Sequence, residues 1–434
     1  GSLMSVLSGT EVSGEYFHGE ITVGQRGTGE LLVEDGADVR SNDFEVGGSD
    51  GGQGTAVVRS GGSVVVTPLE GARYQGVVIA EAYGSTGSLT VTGEGSSAAV
   101  QGGAGFIRVA PRGTGTVTVE QGAQVEGLFA EIGERDGSNG HLIVDGNGSA
   151  LRLNENDGRD RLNGFGAFLR VADEDGAYGR LTIRNGGAVE MTNGQGSLND
   201  GLEAAAAFRP GSTGVLEVLG QAEDGTRSSL TIEMTGSATD AATPAEAPDY
   251  RGPLLRVGRE GVGTGLVDGG DVRVIGEAAT LRVGDRAASP ETAPAEDSVL
   301  TIRNGGTVEV GSTGTHLGGT AVIGNGAGGR GRIEIDGADS SLRVFSGNLD
   351  DLNDVDPEGD LVNGAALIVG DSGDGDLRVT GGAVVDVDGD DDYYPRVDLG
   401  AGASGSGYGL VSGAGSTLRV RGEGQAAFGS GGVI

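Results

Sequence analysis

The heptapeptide LTIRNGG stands at residues 181–187 and again at 300–306, 119 positions later. Each copy leads into a second short run, AVEM after the first and TVEV after the second. In Leu181-Thr182-Ile183-Arg184, Leu181 and Ile183 fall on one side of an extended chain and Thr182 and Arg184 on the other. This is the period-two pattern of a half-buried strand. Asn185-Gly186-Gly187 then suits a sharp corner, because Asn and Gly accept positive φ. Cognates recur along the chain, among them LLVEDGADV (31–39), VTVEQGAQVEG (117–127), LIVDGNGSALRL (142–153), IEIDGADSSLRV (333–344) and LRVTGGAVVDV (377–387). There are about twelve in all. Most follow a second phrase, as in ITVGQRGTG (21–29), AEIGERDGSNG (130–140), LLRVGREGVGTG (254–265) and LIVGDSGDG (367–375). The unit is therefore a strand, a Gly-rich turn, a second strand, another Gly/Asn/Asp turn and a third strand.

A single unit exposes both edges of its strands and buries little, so units must stack and pair. The expected fold is all-β: a parallel β-helix of about twelve units with three strands per coil. Composition agrees. With 90 Gly in 434 residues, 4 % aromatics and no Trp, the chain cannot fill several compact cores, yet its 36 % hydrophobic residues fall in regular alternating runs that disorder would not show. A series of β-sandwiches would carry larger aromatics and less self-similarity, and a propeller would carry Trp girdles. The expected organisation is a cloning scar (Gly1-Ser2) and N-terminal cap over 1–20. One solenoid with loop insertions follows over 21–420, then a tail or truncated coil over 421–434.

The formal net charge is −34, and every one of the 29 basic residues is Arg. Such a chain repels nucleic acid and anionic lipid, so neither is an expected partner. No apolar stretch reaches membrane-spanning length. Cysteine is absent, which a long stack tolerates. The N-terminal GSLMSVLSG lacks the charged and apolar regions of a signal peptide, so any targeting signal or outer-membrane anchor is expected outside this stretch.

The alternation of xVGxxGxG with LTVxxGGxV over about residues 20–420 resembles the repeats of bacterial autotransporter passenger domains and of autotransporter-associated repeats in large surface proteins. The resemblance implies a right-handed β-helix exported to the cell surface or secreted, where most members serve adhesion, aggregation or biofilm formation. A minority carry an inserted protease or esterase domain.

Motifs with catalytic associations are weak. Gly370-Asp371-Ser372-Gly373 looks like a serine-protease nucleophile motif, but the same slot reads Gly24-Gln25-Arg26-Gly27 and Gly258-Arg259-Glu260-Gly261 elsewhere, so it reads as a repeat corner. His18, His141 and His316 share no metal-ligand spacing, and zinc is not expected. No cofactor is required. Calcium is the one candidate, at Asp386, Asp388, Asp390 and Asp392, because carboxylates at alternate positions around Gly389 can converge on a hard cation. An EF-hand is excluded, since its twelfth position would be Val397. Asp350, Asp351, Asp354, Asp356 and Asp360 form a second acidic stretch.

Five insertions, at 154–166, 193–203, 236–252, 346–364 and 389–396, all follow the third strand of a unit and precede the next xVG strand. In a solenoid they would project from one corner as a ridge of loops. That ridge carries Phe165, Tyr250, Tyr393 and Tyr394, the candidate binding residues, because Tyr presents an apolar face and a hydroxyl together. A sixth insertion, 286–298, falls in the other turn. The function expected is that of a non-catalytic adhesin-like surface protein contacting a host or neighbouring-cell protein or glycan, with self-association as a further mode. The alternatives are a polysaccharide lyase or hydrolase, or an inert stalk.

Overall fold

The computed structural model describes residues 2–6, 11–12, 15–16, 19–69, 75–102, 105–154, 166–192, 202–234, 252–285, 296–312, 318–347, 364–389, 395–402, 404–422, 425–428 and 432–433. They are strands and corners without a helix, arranged as parallel β-helix coils. Two units are distinguished, Gly1–Gly194 with Gln221–Ser228, and Gln195–Gly220 with Ser229–Ile434.

In the first unit each coil contributes one strand to each of three faces. The xVG strands make the first face, from Glu20–Val23 to Phe168–Val171. The long strands make the second, from Thr28–Val33 to Tyr178–Arg184. The strands after the Gly corner make the third, ending at Ala188–Thr192, and Leu3–Val6 already belongs to it through pairing with Asp38–Ser41. The second unit repeats this plan. Its first face runs from Glu203–Ala206 to Gln425–Phe428, its second from Thr213–Leu219 to Gly432–Val433, and its third from Ser229–Glu233 to Thr417–Arg421.

Pairing is parallel and in register, so like residues form columns. Leu142 lies beside Leu181 and Val144 beside Ile183 in the first unit, while Leu300 lies beside Ile333 and Ile302 beside Ile335 in the second. Leu181 and Leu300 are 0 % and 2 % exposed, as the alternation of both LTIR segments requires. Thr182 departs from the expected outward exposure: it is buried, because His141 on the preceding strand lays its ring over the column, Nε2 at 3.1 Å from the Thr182 hydroxyl. The thin core suffices because each column is a stack of Val, Ile and Leu at the coil spacing of about 4.8 Å.

The corners explain why LTIRNGG is repeated as a block. Asn185 and Asn304 both sit at φ 54°, followed by Gly186 at 84° and Gly305 at 78°. Arg184 Nε and Asn185 Nδ2 both reach the Asp145 carboxylate at 2.8 Å, one coil earlier. Arg303 Nε and Asn304 Nδ2 reach Asp268 in the same way, at 2.9 and 2.7 Å. Behind the corner, Gly187 passes so close to Val144 that a Cβ would lie 2.5 Å from its carbonyl oxygen, and a Cβ on Gly306 would lie 2.4 Å from that of Val267.

The corner leading into the third face has two forms rather than the single turn expected. In five places a short form with two successive left-handed residues is followed, one coil later, by a longer form that places a serine behind it, whereas the short corners at Asp35-Gly36 and Gly269 are followed by further short corners at Ser60-Gly61 and Asn304-Gly305. The serine hydroxyl accepts the amide N–H of the second left-handed residue in the short corner. Ser96 accepts from Gly61, Ser149 from Gly122 and Ser228 from Gly186 in the first unit. Ser340 accepts from Gly305 and Ser416 from Gly382 in the second, and all five bonds measure 2.9–3.0 Å. Ser149 also donates to the Asp145 carbonyl at 2.7 Å while 1 % exposed. Ser149→Ala removes the hydroxyl that serves the half-buried Gly122 N–H and that carbonyl, an expected loss of about 1 kcal/mol read as a lower urea midpoint of the unit, with an unchanged midpoint as the contrary result.

Candidate functional site

Outward residues of a solenoid face are ordinarily wet. On the first face of the first unit several are not, although Glu20 on its first strand is exposed. Its strands alternate so that Ile107 and Val109, Ala130 and Ile132, and Leu169 and Val171 point into the prism. Phe106, Phe129 and Phe168 therefore point outward, in one column, yet are only 6 %, 0 % and 9 % exposed. Their rings stack with centroids 5.0 Å apart for Phe106–Phe129 and 4.4 Å for Phe129–Phe168. Leu128 packs against them. This is a satellite core outside the prism.

The next outward column, two residues on, is mostly charged, with Arg108 and Glu131 buried and Glu45 and Arg170 half-buried. In register it holds Glu45, Val78, Arg108, Glu131 and Arg170. Arg108 is 5 % exposed and faces three carboxylates: Glu131 at 3.4 Å, Glu81 at 3.5 Å and Glu134, which its Nη2 contacts directly. Glu81 and Glu134 come from the corners after their own strands, so the corners fold back over the column. Arg170 bonds Asp173 at 3.3 Å and lies 4.5 Å over the Phe168 ring, tying the charged column to the aromatic one.

Desolvation dominates the electrostatics. Burial first, then the charges of Glu20, Asp43 and Glu81, push the Glu45 carboxyl up to about 8, with Arg108 opposing. Burial and then Glu134 raise Glu131 to about 7, again against Arg108. Burial pulls the Arg108 guanidinium down, but Glu134, Glu81 and Glu131 more than offset it and raise its pKa. The cluster can hold a proton at neutral pH, and with Arg108 enclosed it acts as a buried ionic clasp between coils.

In the second unit the corresponding face has a smaller version. Arg256 bonds Glu203 at 3.0 Å and Asp285 at 2.7 Å, and Asp285 also receives Arg282 at 3.2 Å and Asn325 Nδ2 at 2.6 Å. Arg259 covers the Phe208 ring at 4.2 Å.

The sequence-derived candidates fall as follows. Tyr393, Tyr394, Phe165 and Tyr250 lie outside the described residues, as do Asp390, Asp392, His18, His316 and the stretch from Asp350 to Asp360. Asp386 and Asp388 are described. They project from the same side of Val384–Asp388, as their spacing requires, but each is held by an arginine on an adjacent coil: Asp386 by Arg421 at 2.5 Å and Asp388 by Arg343 at 3.0 Å. A cation there would have to displace both guanidinium groups. Among the described residues no group of three or more His, Cys, Asp or Glu is gathered in a metal-binding arrangement. Ser372 lies in the bend between Ala366–Val369 and Asp374–Thr380, where its backbone carbonyl accepts the Ser404 hydroxyl at 3.1 Å, as expected of a repeat corner.

The insertions are flanked as the sequence requires. The chain between Ala150–Asn154 and Phe168–Val171 joins a third-face to a first-face strand, as does that between Ala188–Thr192 and Glu203–Ala206. The same holds for the connections preceding Leu254–Val257, Ala366–Val369 and Arg396–Leu399. Insertion 286–298 instead joins the first-face strand Thr280–Asp285 to the second face.

No protein-family model matches the chain, and no curated protein matches it in sequence. Among solved structures it is similar to a TibC-catalysed, hyper-glycosylated fragment of TibA, with 14 % identity and a TM-score of 0.31 over 94 % of this chain and 97 % of that one.

The clasp makes stability depend on pH in a definite direction. Glu45 titrates near 8 when folded and near 4.5 when unfolded, so its protonated form favours the native state. That contribution is complete below pH 4.5 and is lost as pH rises through 8. The thermal midpoint should therefore fall between pH 5 and pH 9, and Glu45→Gln should flatten the fall. Equal slopes in both proteins would contradict the assignment.

Proposed function

We propose that this protein is a non-catalytic, secreted or surface-displayed β-helix of adhesin-like character, which attaches to a cell-surface protein or glycan through loops leaving one corner of its coils. The observation that supports this reading is the placement of the five long insertions. All join a third-face strand to a first-face strand, so additions of unequal length share one corner while coil registry is kept elsewhere. Weak contacts repeated on several such loops gain avidity from their number. Phe165, Tyr250, Tyr393 and Tyr394 are the proposed contact residues on these loops, and calcium at Asp386 to Asp392 remains a proposed auxiliary ligand.

One observation favours a polysaccharide-processing enzyme instead: two carboxyls with raised pKa, Glu45 and Glu131, lie near one arginine. Their enclosure with Arg108 disfavours direct contact with a polymer. Incubation with polygalacturonate and alginate, followed for new reducing ends or unsaturated products, decides between the two.

Attachment is tested with beads coated with the purified chain and applied to bacterial and epithelial cells. Replacing residues 155–165, 193–201, 235–251, 348–363 and 390–394 by short Gly-Ser linkers should reduce attachment by roughly tenfold or more, and Tyr393→Ala with Tyr394→Ala should reduce it severalfold. Equal attachment by the linker variant, with its circular dichroism unchanged, would refute the loop-based reading.

A further inference from the structure

The second face of the first unit bears one exposed column without charge. At the first position of its strands, Thr28, Gln53, Thr86, Thr114, Asn139 and Tyr178 stand in register, each paired with the next. All six side chains are exposed, and none is charged. Two residues further along, on the same side, the neighbouring column is neutral in its middle, at Thr55, Ser88 and Thr116, with the Ser88 hydroxyl 3.4 Å from that of Thr55, and is bounded by Glu30 before them and by His141 and Arg180 after them. The corresponding column in the second unit is neutral at Thr213, Val262 and Ser406 but carries Arg330 beside Asp374, both exposed. The unbroken neutral run of six therefore belongs to this stretch, since the repeat accepts charge at the same position.

We infer that this column is a docking track for a neutral, extended polysaccharide lying parallel to the stacking direction of the coils. Two amides, three threonine hydroxyls and a phenol offer donors and acceptors to sugar hydroxyls without charge. Tyr178, 37 % exposed at the end of the column, offers a ring face for the apolar side of a pyranose. Successive side chains repeat at about 4.8 Å, and the whole column spans about 24 Å. An extended hexopyranose chain advances by a similar step per sugar, so one sugar can meet one coil. Net charge selects the class of polymer: at −34 the protein repels uronates and sulfated glycans, and a polycation would seek the carboxylates rather than a column that lacks them.

This inference deepens the attachment reading but rests on different residues, so the two can fail separately. The test is affinity electrophoresis of the full chain through gels containing hydroxyethylcellulose, a soluble β-1,3-glucan or dextran, with alginate as the anionic control. Retardation is expected in at least one neutral gel and not in alginate. Tyr178→Ala should weaken it roughly fivefold, and Thr114→Glu, which brings in the charge found in the second unit, should abolish it, while Thr114→Ser retains it. Circular dichroism and the thermal midpoint show whether each variant is folded. The variant lacking the five insertions should be retarded like the parent even if it no longer attaches to cells. Absence of retardation in all three neutral gels would overturn the inference. So would retardation that neither Tyr178→Ala nor Thr114→Glu alters, or binding to alginate alone.

Discussion

Parallel backbone pairing between each strand and its cognate one coil on governs the remainder of the molecule. It satisfies the peptide groups of an otherwise thin chain, and it also places every side chain beside its counterpart, so that a single choice at one position is multiplied along a column. Inside, the multiplication yields stacks of Val, Ile and Leu. Outside, it would multiply charge in a chain of net −34, and like charges at one coil spacing repel. The exclusive use of arginine answers this repulsion. Arg152 bonds Glu190 on one neighbouring strand at 2.9 Å and meets Glu126 on the other at 3.8 Å, and Arg332 spans Asp297 and Asp376 at 3.1 and 3.0 Å. A planar guanidinium reaches two carboxylates in this way, where a lysine ammonium would reach one.

Parity makes the prism legible from sequence alone. Leu181 and Leu300 must be interior, and both are. Parity says which side of a strand a residue occupies, however, not whether that side is covered. Thr182 and Arg108 are outward by alternation and buried in fact, because His141 closes over one and the corners bearing Glu81 and Glu134 over the other. The aromatic column carried a readable signal in the phenylalanines that open three successive xVG strands. The neutral column carried one too, in the residue before the repeated Gly of each long strand. Both appear only when strands are compared position by position across coils, since each residue alone looks like ordinary variation.

The candidate binding loops present the opposite case. Their composition is conspicuous, but a loop at a solenoid corner is not constrained by registry, so the repeat that fixes Leu181 says nothing about Tyr393. The most regular part of the chain is thus the most predictable and, with the polar column on its second face, also chemically specific.

The paired corners set the quantum by which such a protein can lengthen or shorten. A short turn hands its Gly amide to a serine on the following coil, as Gly122 does to Ser149, so the two coils form one hydrogen-bonded module. Excising a single coil of such a couple would orphan one member, whereas the short corners at Gly36 and Gly269 are met by the Ser60 and Arg303 carbonyls and depend on no serine. Within the coupled stretches a pair of coils, rather than the individual coil, is therefore the cassette that can be removed or duplicated with its amides still matched.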